Sequence, residues 1–147
     1  MRINEVINNK GSTVITARAE QDVAHLVGLM SEHRIGAVVI TGDDDAVVGI
    51  AGERDVVNGL KQYGSELLTH PISDILETDV HTCGMDDELA AVASEMTQFR
   101  MRHLPVMVDG KLAAIVSIGD IVKSRIDQLQ DEQEHLVKYL RGDARTI

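Results

Sequence analysis

The strongest constraint on the fold of this 147-residue chain is that its sequence repeats once. The stretch VITARAEQDVAHLVGLM, starting at Val14, aligns with VHTCGMDDELAAVASEM, starting at Val80. At an offset of 66, Val14 meets Val80, Thr16 meets Thr82, Val23 meets Leu89, Leu26 meets Val92 and Met30 meets Met96. Beyond Ile40 the offset falls to 65, because the acidic turn Thr41 to Asp45 is one residue longer than its counterpart before Lys111. Asp55 then meets Asp120, so polar positions recur along with apolar ones. A chain built this way folds as two similar units, each burying what the other leaves open.

Within each copy the periodicity changes in the same order. Short extended pieces, Thr13 to Thr16 and Val80 to Thr82, come first. Val23, Leu26, Val27 and Met30 then fall at i, i+3, i+4 and i+7, predicting a helix from about Asp22 to His33, with Leu89, Val92, Ala93 and Met96 as the second copy's face. Two extended runs follow, Ala37 to Thr41 and Ala46 to Ala51, matched by Leu104 to Val108 and Lys111 to Val116 around the hairpin signal Asp109-Gly110. Helices from Glu53 to Lys61 and from Gly119 onward close the copies. The expected fold is α+β (α/β-like): two tandem β-α-β-β-α repeats with pseudo-twofold symmetry and a long C-terminal helix. The expected division is 1–63 for the first repeat with its N-terminal segment, 64–77 for a linker, 78–126 for the second repeat and 127–147 for a helical extension.

The last helix, extension included, carries Val122, Ile126, Leu129, Gln133, Leu136 and Leu140 in alternating steps of four and three, the spacing of a coiled-coil seam with one polar interruption. Such a stripe either covers its own domain or pairs with a second copy, making a homodimer.

Composition removes several function classes. The formal net charge is −10, which argues against nucleic acid and anionic membranes as general partners. Aromatic residues make up 2% of the chain, too few for base-stacking platforms. The lone Cys83 cannot form an intramolecular disulfide and suits a reducing compartment, so a cytoplasmic location is expected. No phosphate-cradling glycine loop, zinc spacing or calcium loop is present, and Asp43-Asp44-Asp45 reads as a solvated turn. No catalytic residue, metal site or catalytic cofactor is expected.

The repeated strand-to-helix junction is the remaining feature: Gly49-Ile50-Ala51-Gly52-Glu53-Arg54-Asp55 and Ala114-Ile115-Val116-Ser117-Ile118-Gly119-Asp120. A small residue near the strand end permits close approach of a ligand, and helix N-terminal amides favour an anion. An aspartate in the first helical turn either caps the helix or accepts hydrogen bonds from vicinal hydroxyls.

From about Asn9 to Arg125 the chain resembles a tandem pair of CBS domains, a Bateman module. The likeness rests on these junctions together with Arg34-Ile35-Gly36-Ala37-Val38-Val39 and Arg102-His103-Leu104-Pro105-Val106. It is greatest for small stand-alone bacterial proteins with Lys-Gly before the first strand (here Lys10-Gly11) and Ser-Ile-Gly-Asp-hydrophobic-Val-Lys at the end (here Ser117 to Lys123). The resemblance implies non-catalytic binding of an adenosine nucleotide in two clefts between the repeats. AMP is the first expectation, with ADP, ATP or NAD(H) next, and the output is a regulatory change that acts on an effector protein in trans or through the long C-terminal helix. Carried over, one site would use Asp120 for the ribose hydroxyls with Ser117 beside it, Ile115 at the adenine, Gly36 and Ala37 opposite, and the edge formed by Lys10, Val14 and Ile15. The other would use Asp55, with Ile50, Gly52, Arg54, Val80, Arg102 and His103 around a phosphate. Gly52 departs from the family's Ser/Thr, and Ala114 from its Gly. The alternative is an interaction protein that dimerises through its C-terminal helix and has no physiological nucleotide.

Overall fold

The computed structural model describes the backbone of residues 1–146 and side chains through Gly142. The order is α1 (Ile3–Lys10), β1 (Thr16–Ala17), α2 (Val23–His33), β2 (Ala37–Thr41), β3 (Val47–Gly52) and α3 (Glu53–Tyr63). It continues with β4 (Cys83–Gly84), α4 (Leu89–Gln98), β5 (His103–Val108), β6 (Lys111–Ser117) and α5 (Ile118–Thr146). Two three-stranded sheets result, β1-β2-β3 and β4-β5-β6, each with one parallel and one antiparallel pairing. The repeat survives at the level of register: Ala17 faces Ile40, and 66 residues later Cys83 faces Val106.

The opening strands begin later than the sequence predicts. Thr13 to Ile15 and Val80 to Thr82 lie outside any strand, and pairing starts at Thr16 and Cys83. Ala17 and Cys83, 4% and 5% exposed, are where the chain turns into its core. Of the unpaired residues before them, Thr13, Ile15, Val80 and His81 line the clefts described below.

Two cores form. Leu26, Met30, Val38, Ile40, Ala51 and Ile72 make the first, and Leu89, Val92, Met96, Leu104, Val106, Val116 and Ile121 the second. The N-terminal segment crosses over. Helix α1, unforeseen in the sequence and placed by position with the first repeat, buries Ile3, Val6 and Ile7 in the second core. Its seating is fixed by Ile3 N donating to Asp87 O at 3.0 Å and Asn4 N to Met85 O at 2.9 Å. Each such buried aliphatic contributes about 1.5–3 kcal/mol.

The inter-repeat stretch is likewise part of the fold. It forms 3₁₀ turns at Gly64–Thr69 and Ile72–Asp74, with Leu67 and Ile72 at 0% exposure. Gly49 lets this stretch lie on β3, because a Cβ there would stand 2.4 Å from the Glu77 carbonyl oxygen. Asp43–Asp45 form an exposed 3₁₀ turn.

Helix α5 turns Ile121 (1% exposed) and Ser124 (8%) inward. The stripe predicted to pack faces out instead of covering the domain: Ile126 is 50% exposed, Leu129 48%, Leu136 59% and Leu140 60%. The expected extension ends at Ile147, which lies outside the described residues.

Candidate functional site

Two clefts open between the repeats, each built from the strand-to-helix junction of one copy and the loop segments of the other. The junctions are anchored alike: Glu53 N donates to Gly36 O at 3.1 Å, and Ile118 N to Arg102 O at 2.8 Å. Asp55 Oδ2 accepts from Gly52 N at 2.8 Å, and Asp120 Oδ2 from Ser117 N at 2.8 Å. In the second copy Ser117 Oγ also accepts from Asp120 N at 3.1 Å, completing a reciprocal cap that Gly52 cannot make. Both aspartates therefore act as helix caps, which leaves carboxylate oxygen capacity for a ligand.

The larger cleft, about 370 Å³, is lined by Ile50, Gly52, Glu53, Arg54 and Asp55 from the first junction. Facing them are Asp79, Val80 and His81, Arg100 to His103, and Glu77. All seven residues expected at the Asp55 site line this one cleft: Ile50, Gly52, Arg54, Asp55, Val80, Arg102 and His103. The smaller cleft, about 300 Å³, brings together Lys10, Ile15, Gly36, Ala37, Ile115 and Ser117, with Thr13, Arg34, Ile35 and His103. Both volumes fall in the range of small-molecule sites.

Two residues expected there are placed differently. Val14 does not line the smaller cleft; in the extended segment Thr13 and Ile15 face it, and Val14 points to the opposite side and packs on the second core. Asp120 is not itself among the lining residues but is bonded to two that are, Ser117 and Lys10, whose Nζ is 2.5 Å from Oδ2. Lys10 Nζ also donates to Ile115 O at 2.8 Å. Gly36, Ala37 and His103 line both clefts and form the partition between them.

The residues missed in the sequence show the same symmetry. Arg34 and Arg100, 66 apart, both adopt the left-handed conformation with φ 53° and line one cleft each. A non-glycine residue in that region is uncommon and costs energy, and such strain collects at binding sites. Their recurrence at the repeat offset was the available signal.

Charge is concentrated here. Of the chain's 14 Lys and Arg, five line the clefts: Lys10, Arg34, Arg54, Arg100 and Arg102. The last three make no salt bridge or side-chain hydrogen bond among the described residues, although Glu53, Asp55, Glu77 and Asp79 line the same cleft.

The matched aspartates respond in opposite directions. Burial pushes Asp55 above its ordinary value; the Gly52 amide and Arg54 pull back, while Glu77 repels it further. Burial also acts to raise Asp120, but the Lys10 ammonium and the Ser117 amide and hydroxyl outweigh it and hold the carboxyl low. Burial lowers His103, with Lys10 and Arg102 adding to the effect and Asp120 and Glu53 opposing it. Burial, with Asp87 and Glu95 nearby, pushes the Cys83 thiol up to about 12, so it is no nucleophile at neutral pH.

Comparisons with known proteins agree with this architecture. The structure of a CBS-domain containing protein, ATU1752 from Agrobacterium tumefaciens, superposes with a TM-score of 0.82 at 34% identity, covering 85% of this chain and 99% of that one. The mitochondrial CBS domain-containing protein CBSX3 of Arabidopsis thaliana is 28% identical over 148 residues, covering 95% of this chain and 72% of its own. The CBS domain pair of protein MJ0100, solved with 5′-methylthioadenosine and S-adenosyl-L-methionine, shares the fold with a TM-score of 0.77 at 21% identity, covering 87% of this chain and 98% of that one. Domains of this family are typically regulatory rather than catalytic. The CBS domain pattern itself matches residues 7–62 and again 72–127, one match for each half of the fold, and the chain thus belongs to the CBS-domain family as a tandem pair.

Proposed function

We propose that the chain is a non-catalytic sensor of an adenosine nucleotide, which it binds in the clefts between its two repeats. The observation that carries this is the larger cleft. In a chain of net charge −10, three guanidinium groups that have no ion-pair partner among the described residues gather in one cleft with an aspartate on a helix N-terminal turn, Arg54 beside it and Arg100 and Arg102 facing it. Asp55 accepts the ribose hydroxyls while Arg54, Arg100 and Arg102 take the phosphate, using the planar fork suited to it. The CBS domain pair of MJ0100, which shares the fold, is solved in complex with 5′-methylthioadenosine and S-adenosyl-L-methionine, and this supports the adenosine moiety.

AMP is the first candidate, with ADP, ATP and NAD(H) next. In the smaller cleft Lys10, Ile15, Gly36, Ala37, Ile115, Ser117 and Asp120 form the second position. Binding that favours one angle between the repeats shifts their equilibrium, and an effector protein reads the shift in the cytoplasm. No helix among the described residues is long and apolar enough to cross a membrane.

Calorimetric titration with AMP, ADP, ATP and NADH tests this reading. Saturable binding that weakens in Asp55→Ala supports it, and absence of binding by any of the four to the folded protein refutes it.

A second reading, interaction through α5, is favoured by one observation: Ile126, Leu129, Leu136 and Leu140 lie half exposed at heptad spacing. Homodimerisation through this stripe is compatible with nucleotide binding. Leu136→Glu is expected to yield monomers by sedimentation; an unchanged dimer would remove the helix from the interface.

A further inference from the structure

The smaller cleft holds an ammonium group, and no lysine lines the larger. Lys10 Nζ bonds Asp120 Oδ2 at 2.5 Å and Ile115 O at 2.8 Å, with the two side chains 31% and 23% exposed. Oδ2 already accepts from Ser117 N, so the ammonium fills that oxygen's remaining capacity. The larger cleft has no such group. The residue 66 positions after Lys10 is Leu76, which packs on the first core, and Asp55 has Glu77 as its neighbour instead.

Oδ1 has no hydrogen-bond partner among the described residues, so a nucleoside whose two vicinal hydroxyls each take one oxygen of Asp120 must displace Lys10 from Oδ2. An uncharged nucleoside then leaves a partly buried ammonium without its counter-ion, which is costly. A phosphorylated one returns an anion to the same ammonium, exchanging one charge-assisted hydrogen bond for another. Lys10 is suited to this exchange, since it ends α1 on a long side chain and is followed by Gly11 at φ 103°.

We propose that Lys10 is the specificity-determining residue of the smaller cleft, reserving it for phosphorylated nucleosides and rejecting uncharged ones such as adenosine and 5′-methylthioadenosine. The proposal rests on the nucleotide reading above and adds the selection rule of one cleft.

The test is calorimetric titration with AMP, adenosine and 5′-methylthioadenosine in an Asp55→Ala background, which silences the larger cleft. AMP is expected to bind at least about tenfold more tightly than either uncharged nucleoside. Adding Lys10→Met should bring the ligands within about threefold, chiefly by tightening the uncharged ones, and Lys10→Arg should restore the preference. An AMP-to-adenosine ratio unmoved by Lys10→Met overturns this proposal while the nucleotide reading stands. So does AMP binding that persists when Asp120→Ala is added, or failure of all three ligands in this background with and without Lys10→Met. Failure of every ligand on the wild-type protein as well overturns both.

Discussion

Replacing Gly49 by alanine tests how tightly the inter-repeat segment is laid on β3. The added Cβ would stand 2.4 Å from Glu77 O, 2.7 Å from Leu76 Cδ1 and 2.8 Å from Leu76 Cγ. Ordinary contact begins near 3.4 Å, so the backbones must part by about 1 Å. That separation breaks the paired bonds Ile50 N to Glu77 O (3.1 Å) and Glu77 N to Ile50 O (3.2 Å). Two backbone hydrogen bonds at about 1 kcal/mol each, plus about 1–3 kcal/mol of overpacking, less about 0.5 kcal/mol gained by leaving glycine, give a loss of about 3 kcal/mol. Urea denaturation should show a midpoint lower by about 1–2 M with an unchanged slope. Gly28 in α2 provides the control of opposite sign: a Cβ there meets nothing within 4 Å, and alanine should stabilise the helix by about 0.5–1 kcal/mol. A Gly49→Ala protein within 1 kcal/mol of wild type, on the same about-1-kcal/mol resolution that separates the control, would refute this account of the packing.

Three further outcomes follow from the clefts and cores. Asp55→Asn should raise the melting temperature by about 1–3 °C at neutral pH while abolishing nucleotide binding in the larger cleft. The folded state raises this carboxyl, so its contribution is favourable below 3.8 and is lost as pH rises through the folded value; a lower melting temperature at neutral pH would contradict that sign. His103 is held below its ordinary 6.5, so its contribution is present above 6.5 and declines as pH falls from there to the lowered folded value. Melting curves at pH 7.5 and 5.5 should thus differ less for His103→Gln than for wild type, and equal differences would discount the buried imidazole. Ile3→Ala, at a fully buried position, should cost about 2–4 kcal/mol and loosen hydrogen-exchange protection in β5 and β6 before β2 and β3; uniform loosening would argue against α1 serving the second core.

The repeat made the order of elements legible, because helix periodicity and the Asp109-Gly110 turn are local signals. It also made the larger cleft legible, since Asp55, Arg54, Arg102 and His103 sit in motifs that recur at a fixed offset. Packing partners were not legible. Nothing local assigns Ile3, Val6 and Ile7 to a core about 80 residues away, and the short α1 pattern carries no periodicity long enough to announce a helix. Val14 was misplaced because a one-residue choice of face in an extended segment is decided by pairing that the sequence does not display. Lys10 was placed at the cleft edge, yet its bond to Asp120 lies 110 residues along the chain and depends on how α1 docks.

The docking of α1 also sets an order of events during synthesis. The first helix leaves the ribosome long before Asp87, Leu89 and Ile121, the residues it clasps, have been translated. The sheet and core of the first repeat can consolidate in that interval, apart from the contribution of the following turn at Ile72. The second repeat cannot finish until the opening helix returns across the molecule, closing a loop of roughly 80 residues at an entropic cost that grows only slowly with length. Maturation therefore runs from the first repeat to the second, with the opening helix held in reserve until its partners exist.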